Sequence, residues 1–348
     1  MTLKIKKVLF ITLRSDTGGG PKHLLDLCTG IKDIEIHIAS PTTLPFGEKF
    51  QSIATGFIEL KHREFSFIKL FKILHYCKEN GIDLIHSHGR GAGLYSRILY
   101  LFGVRVIHTF HGAHYDNNFI GRVKVLIDKF LKNNCDNYIC VSEDEFNKAK
   151  EMNFVGNTKV SVINNGVSIL NIRDSLSIGF PKEGVEFGTL ARLSYQKGID
   201  ILIDELSKNK TPNHWKFIIA GEGEEERFLK EKVNNLGLQD KIIFLGNVSK
   251  PLEFLNRIDV YFSTSRWEGL PIGVLEAMSL GKPCILSNVE GHREFNKIMN
   301  SVLLYDDFVE ECHEIILMKE QYSKMALNNV KENFSLESMC NSTRKLFI

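Results

Sequence analysis

Short runs of apolar, largely β-branched residues alternate along the chain with longer stretches whose apolar positions recur at helical spacing. That alternation predicts parallel strands with helices on both faces of a sheet. In the first half the strand-like runs fall at 8–12, 34–39, 84–87, 104–109, 138–142 and 160–163, with helical periodicity at 21–31, 67–80, 91–102, 118–133 and 143–151. Residues 168–183 lose both periods and carry Gly179-Phe180-Pro181, the signature of a connection between domains. The alternation then restarts, with strands at 186–190, 217–220, 242–245, 260–263 and 284–287 and helices at 198–208, 223–236, 251–256 and 271–280. The tail from about 315 is polar and helical, and Ser335 before Leu336-Glu337 reads as the cap of a last helix. The expected fold is α/β, with two Rossmann-like doubly wound parallel-sheet domains over 1–170 and 184–330. A linker at 171–183 joins them, and a C-terminal helix at 331–348 packs back on the first.

Composition supports two cores: 348 residues are 43% hydrophobic and 25% charged, which excludes disordered and fibrous classes. A net charge of +2 is too near balance for a nucleic-acid-binding surface. It conceals an asymmetry, because residues 1–150 hold 21 basic and 15 acidic side chains and the remainder hold 23 and 27. Seven scattered cysteines without a Cys-x-x-Cys pair read as reduced, buried thiols of a cytoplasmic protein. The opening MTLKIKKVLFITL breaks at Arg14-Ser15-Asp16 with no cleavage site and reads as a first buried strand. No stretch reaches the roughly 18 apolar residues of a membrane span.

Four constellations could carry chemistry. Gly18-Gly19-Gly20 lies between the first strand and the first helix, where backbone N–H groups can meet an anion; a flexible turn is the alternative. It matches neither G-x-G-x-x-G nor a P-loop. Glu268 and Glu276 flank a helix start at Pro271, so that Glu268 stays in a loop and Glu276 lies about one and a half turns into the helix. Each carboxylate can accept a pair of neighbouring hydroxyls with an anion between them, or both can be solvated. Arg192 and Lys197-Gly198 follow the first strand of the second half, as two cations for a diphosphate or as plain surface charge. Histidines 86, 88, 108, 111 and 114 cluster at two strand ends, where open α/β sheets bind ligands. We expect His86 and His88 to point to opposite faces with no ligand set completed around them, hence no metal; contacts to sugar or phosphate, or structural roles, remain open.

Taken together these motifs resemble the retaining glycosyltransferases of family four, which have the two-Rossmann-domain B-type fold around a central cleft. The resemblance spans nearly the whole chain. It rests on Gly18-Gly19-Gly20, His86-Ser87-His88, His111-Gly112, Val141-Ser142, Ile163–Val167, Arg192 with Lys197-Gly198, Ala220–Gly223, Leu245-Gly246 and the Glu268/Glu276 pair. It implies an acceptor-binding first domain and a second domain that holds a nucleotide-sugar donor, most simply a UDP-sugar. By resemblance, Glu276 takes the ribose and Arg192 and Lys197 the diphosphate. Glu268 with Gly269, Leu270 and Pro271 grips the donor sugar, His111 lines the sugar pocket, Gly18–Gly20 approach the distal phosphate, and Asn247 and Val248 flank the base. One departure stands out: after Gly291-His292-Arg293-Glu294 the family's glycine-bearing turn is replaced by Asn296-Lys297-Ile298-Met299-Asn300.

The expected reaction is metal-independent transfer, with no cofactor, to a lipid-linked saccharide of a bacterial surface polysaccharide (O-antigen or capsule type). The chain has no Asp-x-Asp, so Arg192 and Lys197 would meet the leaving-group charge. Retention is expected to proceed by same-face attack, with Glu268 not acting as a nucleophile. Cationic, apolar stretches at 119–132 and 65–72 suggest peripheral contact with anionic lipid at the inner face of the cytoplasmic membrane; an apolar stripe facing the core is the alternative. The competing functions are a nucleotide-sugar epimerase of the same architecture and a non-catalytic nucleotide-sugar-binding protein.

Overall fold

The computed structural model describes residues 7–112, 119–169, 182, 184–297 and 299–347. These form two compact units, Met1–Asn165 with Leu336–Ile348, and Gly166–Ser335. Of the 171–183 segment expected to link two domains, only Lys182 lies within the described residues.

In the first unit the elements run β1 (Lys7–Thr12), α1 (Gly19–Gly30), β2 (Glu35–Ser40), α2 (Gly47–Ile53), β3 (Gly56–Glu59), α3 (Phe67–Asn80), β4 (Leu84–His88), α4 (Arg90–Tyr100), β5 (Val106–Thr109), α5 (Phe119–Phe130), β6 (Asn137–Cys140), α6 (Glu143–Glu151) and β7 (Lys159–Val162). The sheet order is β3-β2-β1-β4-β5-β6-β7 and every pairing is parallel. β1 is central, and its run Val8–Ile11 is fully buried, as a strand covered on both faces requires. The helices end where local chemistry stops them. Ser66 Oγ accepts from Lys69 N to open α3, and Gly81 at φ 61° closes it.

The second unit repeats the plan with β8 (Val185–Leu190), α7 (Ile199–Lys208), β9 (Trp215–Ala220), α8 (Glu226–Asn235), β10 (Ile242–Gly246), α9 (Pro251–Arg257), β11 (Val260–Ser263), α10 (Ile272–Ser279), β12 (Cys284–Ser287), α11 (Glu290–Arg293), β13 (Leu303–Tyr305), α12 (Phe308–Leu317) and α13 (Lys319–Asn333). Its parallel sheet has the order β10-β9-β8-β11-β12-β13. Strand order therefore reverses between β1 and β4 in one sheet and between β8 and β11 in the other, the switch points where doubly wound sheets take ligands. The last helix, α14 (Leu336–Lys345), packs against α1. Its Met339 and Cys340, with Phe347 just beyond, join Leu24, Leu27 and Cys28 in the core.

All seven cysteines are buried and free. Among the described residues two charged pairs are sealed inside: Arg97 of α4 with Asp128 of α5, and Arg257 with Glu186, whose Nη2–Oε1 distance is 2.6 Å. No helix among the described residues is long and apolar enough to cross a membrane. Val125 of α5 packs against the core, but Phe119, Leu126 and Phe130 stay outside it at 80%, 66% and 84% exposure. On α3, Phe67, Ile68 and Phe71 are likewise exposed.

Candidate active site

In the second unit Lys197 and Glu268 meet at the switch point between β8 and β11. β8 delivers Arg192 two residues past its end, exposed, and then a single 3-10 turn, Tyr195–Lys197. Gly198 follows at φ 61°, and a Cβ there would meet Thr264 O at 2.1 Å, so the backbone approach between the β8 and β11 loops needs glycine. That approach seats Lys197 against Glu268: Nζ donates to Oε1 at 2.6 Å, and Ser265 Oγ donates to the same oxygen at 2.7 Å. Burial pushes the Glu268 carboxyl up, but the Lys197 ammonium, the nearby His292 and the Ser265 hydroxyl outweigh it and hold it below its usual range. Glu268 is therefore an ionised carboxylate in a buried setting, and its ammonium partner keeps two N–H groups to spend.

The Glu268 loop leads into α10, whose first turn has no side-chain cap, so its backbone N–H groups are available to an anion. Pro271 stands at the N-cap position just before the helix, and Glu276 lies on its fifth residue, half-buried. Gly269 is locked by Gly291, where an added Cβ would sit 1.9 Å from Gly269 O. His292, fully buried, shares Ser287 Oγ through Nδ1 at 3.1 Å, and burial pushes it down to about 4. Arg266 forks onto Asp200 at 2.6 and 2.8 Å and lies 3.9 Å over the Tyr195 ring, bracing the turn that carries Lys197. Near β10, Glu222 accepts from Asn247 N at 3.2 Å, with Val248 beside it. Where the glycine-bearing turn is replaced, Asn296 does the turn's work: its Oδ1 accepts from Ser301 N and Val302 N, and its Nδ2 donates to Val302 O.

In the first unit Gly18–Gly20 open α1 beneath His111, and a Cβ on Gly20 would lie 4.0 Å from His111 Cδ2. Arg14 reaches across this turn, paired to Asp16 at 2.8 Å and donating to Thr17 O. Glu145 fixes the His111 loop. Its carboxylate accepts from Gly112 N and Val141 N, while its own N–H donates to Ser142 Oγ at the start of α6. Sequence reasoning took Val141-Ser142 as a motif and missed Glu145, although the Ser142-x-x-Glu145 spacing of a capping box marks it.

The expectation that His86 and His88 point to opposite faces is wrong. Positions two apart on a strand share a face, and the two rings lie 4.2 Å apart between centroids. His86 Nε2 bonds Thr109 Oγ1 at 2.8 Å, and His108 Nδ1 bonds Ser87 Oγ at 2.9 Å, so these two are structural. His88 Nδ1 instead meets His111 Nε2 at 3.3 Å, beside His23 of α1, which the sequence reading did not include. Burial drives His23 down to about 4, and His88 and His111 well below the usual imidazole range, so all three are neutral at pH 7. His114 lies outside the described residues.

Comparison with known proteins follows the same division. Residues 17–169 match the model of Glycosyltransferase Family 4, and residues 173–328 match that of Glycosyl transferases group 1. Among relatives, the UDP-Gal:alpha-D-GlcNAc-diphosphoundecaprenol alpha-1,3-galactosyltransferase of Escherichia coli is 28% identical over 309 residues, covering 81% of this chain and 79% of that one. The O-antigen biosynthesis glycosyltransferase WbnH of Escherichia coli is 25% identical over 99% of this chain and its own full length. Among solved structures, Anabaena Alr3699/HepE in complex with UDP and glucose aligns with a TM-score of 0.83 at 17% identity, covering 98% and 99% of the two chains. With two family models side by side along its length and two sheets of matching strand order, the chain belongs to the family-four glycosyltransferases of the B-type fold.

Proposed function

We propose that this chain transfers a sugar from a UDP-sugar, with retention at the anomeric carbon, to a hydroxyl of a lipid-linked saccharide in bacterial surface polysaccharide synthesis of the O-antigen type. The observation that carries the reading is the Lys197–Glu268–Ser265 arrangement beside the uncapped start of α10. It joins a fixed cation, a fixed carboxylate and free N–H groups within one loop system, which suits a sugar diphosphate. The names of the relatives support the acceptor class, and the UDP-bound neighbour supports the nucleotide.

In this reading the acceptor oxygen forms a bond to the anomeric carbon on the face that the diphosphate leaves. The sugar–phosphate bond breaks with its electron pair going to the phosphate oxygen, which takes the acceptor proton. Arg192 and the two remaining N–H groups of Lys197 carry the growing negative charge, the task a metal serves in Asp-x-Asp enzymes. Glu276 takes the ribose hydroxyls, Glu268 with Gly269, Leu270 and Pro271 the sugar hydroxyls, Asn247 and Val248 the base, and His111 with Gly18, Gly19 and Gly20 the sugar and phosphate side. Glu268 is already committed to Lys197 and Ser265, which argues for a binding role and against nucleophilic attack.

The exposed face of α5, with Phe119, Leu126 and Phe130 beside Arg122, Lys124 and Lys129, is assigned to an anionic bilayer that presents the acceptor. Apolar side chains with flanking cations, each worth about 1 kcal/mol near such a surface, fit lipid better than solvent. A panel of UDP-, GDP- and ADP-sugars with a diphospholipid-linked acceptor, run in chelator, tests the reaction. Transfer from a UDP-sugar is the expected result, and binding without turnover on any acceptor favours the non-catalytic alternative.

A further inference from the structure

The proposed transfer employs His111 but leaves His23 and His88 without a task. One nitrogen from each of the three lies within 4.8 Å of the other two. His88 Nδ1 and His111 Nε2 are 3.3 Å apart. A tetrahedral ion with Zn–N bonds of about 2.0–2.1 Å spaces its ligand nitrogens about 3.3 Å apart, so one edge of the site is already set. His23 has at most ~1.5 Å to close, within reach of small side-chain rotations. Three elements supply the ligands: α1, the end of β4 and the loop after β5.

A second observation points the same way. His23 and His88 are each only 4% exposed, and His23 Nδ1 has no hydrogen-bond partner among the described residues. A buried ring nitrogen without a partner is costly, and one that stands beside two further imidazoles invites a ligand. His111 is partly exposed. The adjacent His86 and His108 each bond a hydroxyl, of Thr109 and Ser87, and do not join the group of three nitrogens that lie within 4.8 Å of one another.

We propose that His23, His88 and His111 form a three-imidazole site for a late first-row divalent cation of the zinc class, with the fourth position open to water. An all-nitrogen, uncharged ligand set selects such ions over magnesium, calcium and manganese. The site is separate from the donor-phosphate chemistry assigned to Arg192 and Lys197, and its test reads binding, so its failure leaves the transferase reading untouched.

The experiment uses the full chain without a polyhistidine tag, stripped by chelator and titrated with Co2+, then with Zn2+ against a chromophoric chelator. The expected result is one equivalent of Co2+ with intense tetrahedral visible bands, displaced by Zn2+. His23→Ala should weaken binding by about tenfold or more, while His75→Ala, on the exposed face of α3, should not change it. Circular dichroism verifies that each variant is folded, and His88→Gln supplies a second ligand deletion that retains side-chain volume. Absence of stoichiometric binding in the unmodified chain, a weak octahedral spectrum, or unchanged affinity in folded His23→Ala overturns the proposal.

Discussion

Replacing Lys197 by alanine separates the cation's two roles, holding Glu268 and meeting the diphosphate. Glu268 is buried, and its Oε1 would keep Ser265 Oγ at 2.7 Å but lose the ammonium at 2.6 Å. Removing one partner of a fully buried ion pair costs about 3–5 kcal/mol. The Lys197 side chain is 25% exposed, so solvent screening brings the expected loss down to about 1–3 kcal/mol. The pH dependence carries the sharper signature. With Lys197 present, Glu268 has a lowered pKa in the folded state, so its contribution to stability is present above the unfolded value of 4.5 and is lost as pH falls through the folded value. Without Lys197, burial dominates and lifts the folded pKa above 4.5, so the sign reverses and folding loses stability as pH rises through that window. The stability gap between the two proteins should shrink toward acid pH and widen toward pH 7, as read by urea unfolding at a series of pH values. Turnover should fall about 10²–10³-fold, the usual cost of losing one preorganised charge donor. A gap that stays flat with pH, or turnover within about twofold of the parent, refutes the pairing and the phosphate role respectively.

Four further outcomes are expected. Asp128→Ala leaves the buried Arg97 guanidinium uncompensated and should cost about 3–5 kcal/mol in urea unfolding, whereas changing both residues to apolar ones should cost less. Glu145→Leu strips the acceptor from Gly112 N and Val141 N; it should destabilise the fold by about 1–3 kcal/mol and lower turnover more than donor affinity, since it loosens the His111 loop. Gly198→Ala forces a side chain toward Thr264 O and should weaken UDP binding in calorimetry while the folded circular dichroism spectrum persists. Phe119→Asp with Phe130→Asp should abolish sedimentation with vesicles rich in anionic lipid and leave transfer to a soluble acceptor unchanged; equal sedimentation of the variant would remove α5 from the membrane.

Periodicity read most of the fold because central parallel strands are buried on both faces and advertise themselves as continuous apolar runs. The β1 run Val8–Ile11 and the β12 run Cys284–Ser287 are of this kind. The edges β7 and β10 were read, at 160–163 and 242–245, but the other two were not. β3, Gly56–Glu59, and β13, Leu303–Tyr305, are only four and three residues long and partly solvated, so neither length nor alternation marks them. The Lys197 and Glu268 motifs are each compact in sequence and could be read singly, but their contact spans 71 positions and lay beyond any local window. The histidine cluster was misread twice: the strand's two-residue period was applied with the wrong sign to His86 and His88, and His23 lies on a helix face where a lone histidine carries no pattern. What joins it to His88 and His111 is sheet order, with β1 beside β4 and β4 beside β5, which no local window contains.

The central claim is retaining transfer from a nucleotide sugar with protein cations in place of a metal at the diphosphate. It is tested most directly by proton NMR of the glycoside formed from a UDP-α-sugar in the presence of chelator, recorded before any anomerisation. The account predicts an α-linked product, seen in the small coupling of its anomeric proton, formed at an undiminished rate in chelator. A β-linked product, or transfer that ceases on chelation and returns with magnesium or manganese, contradicts it.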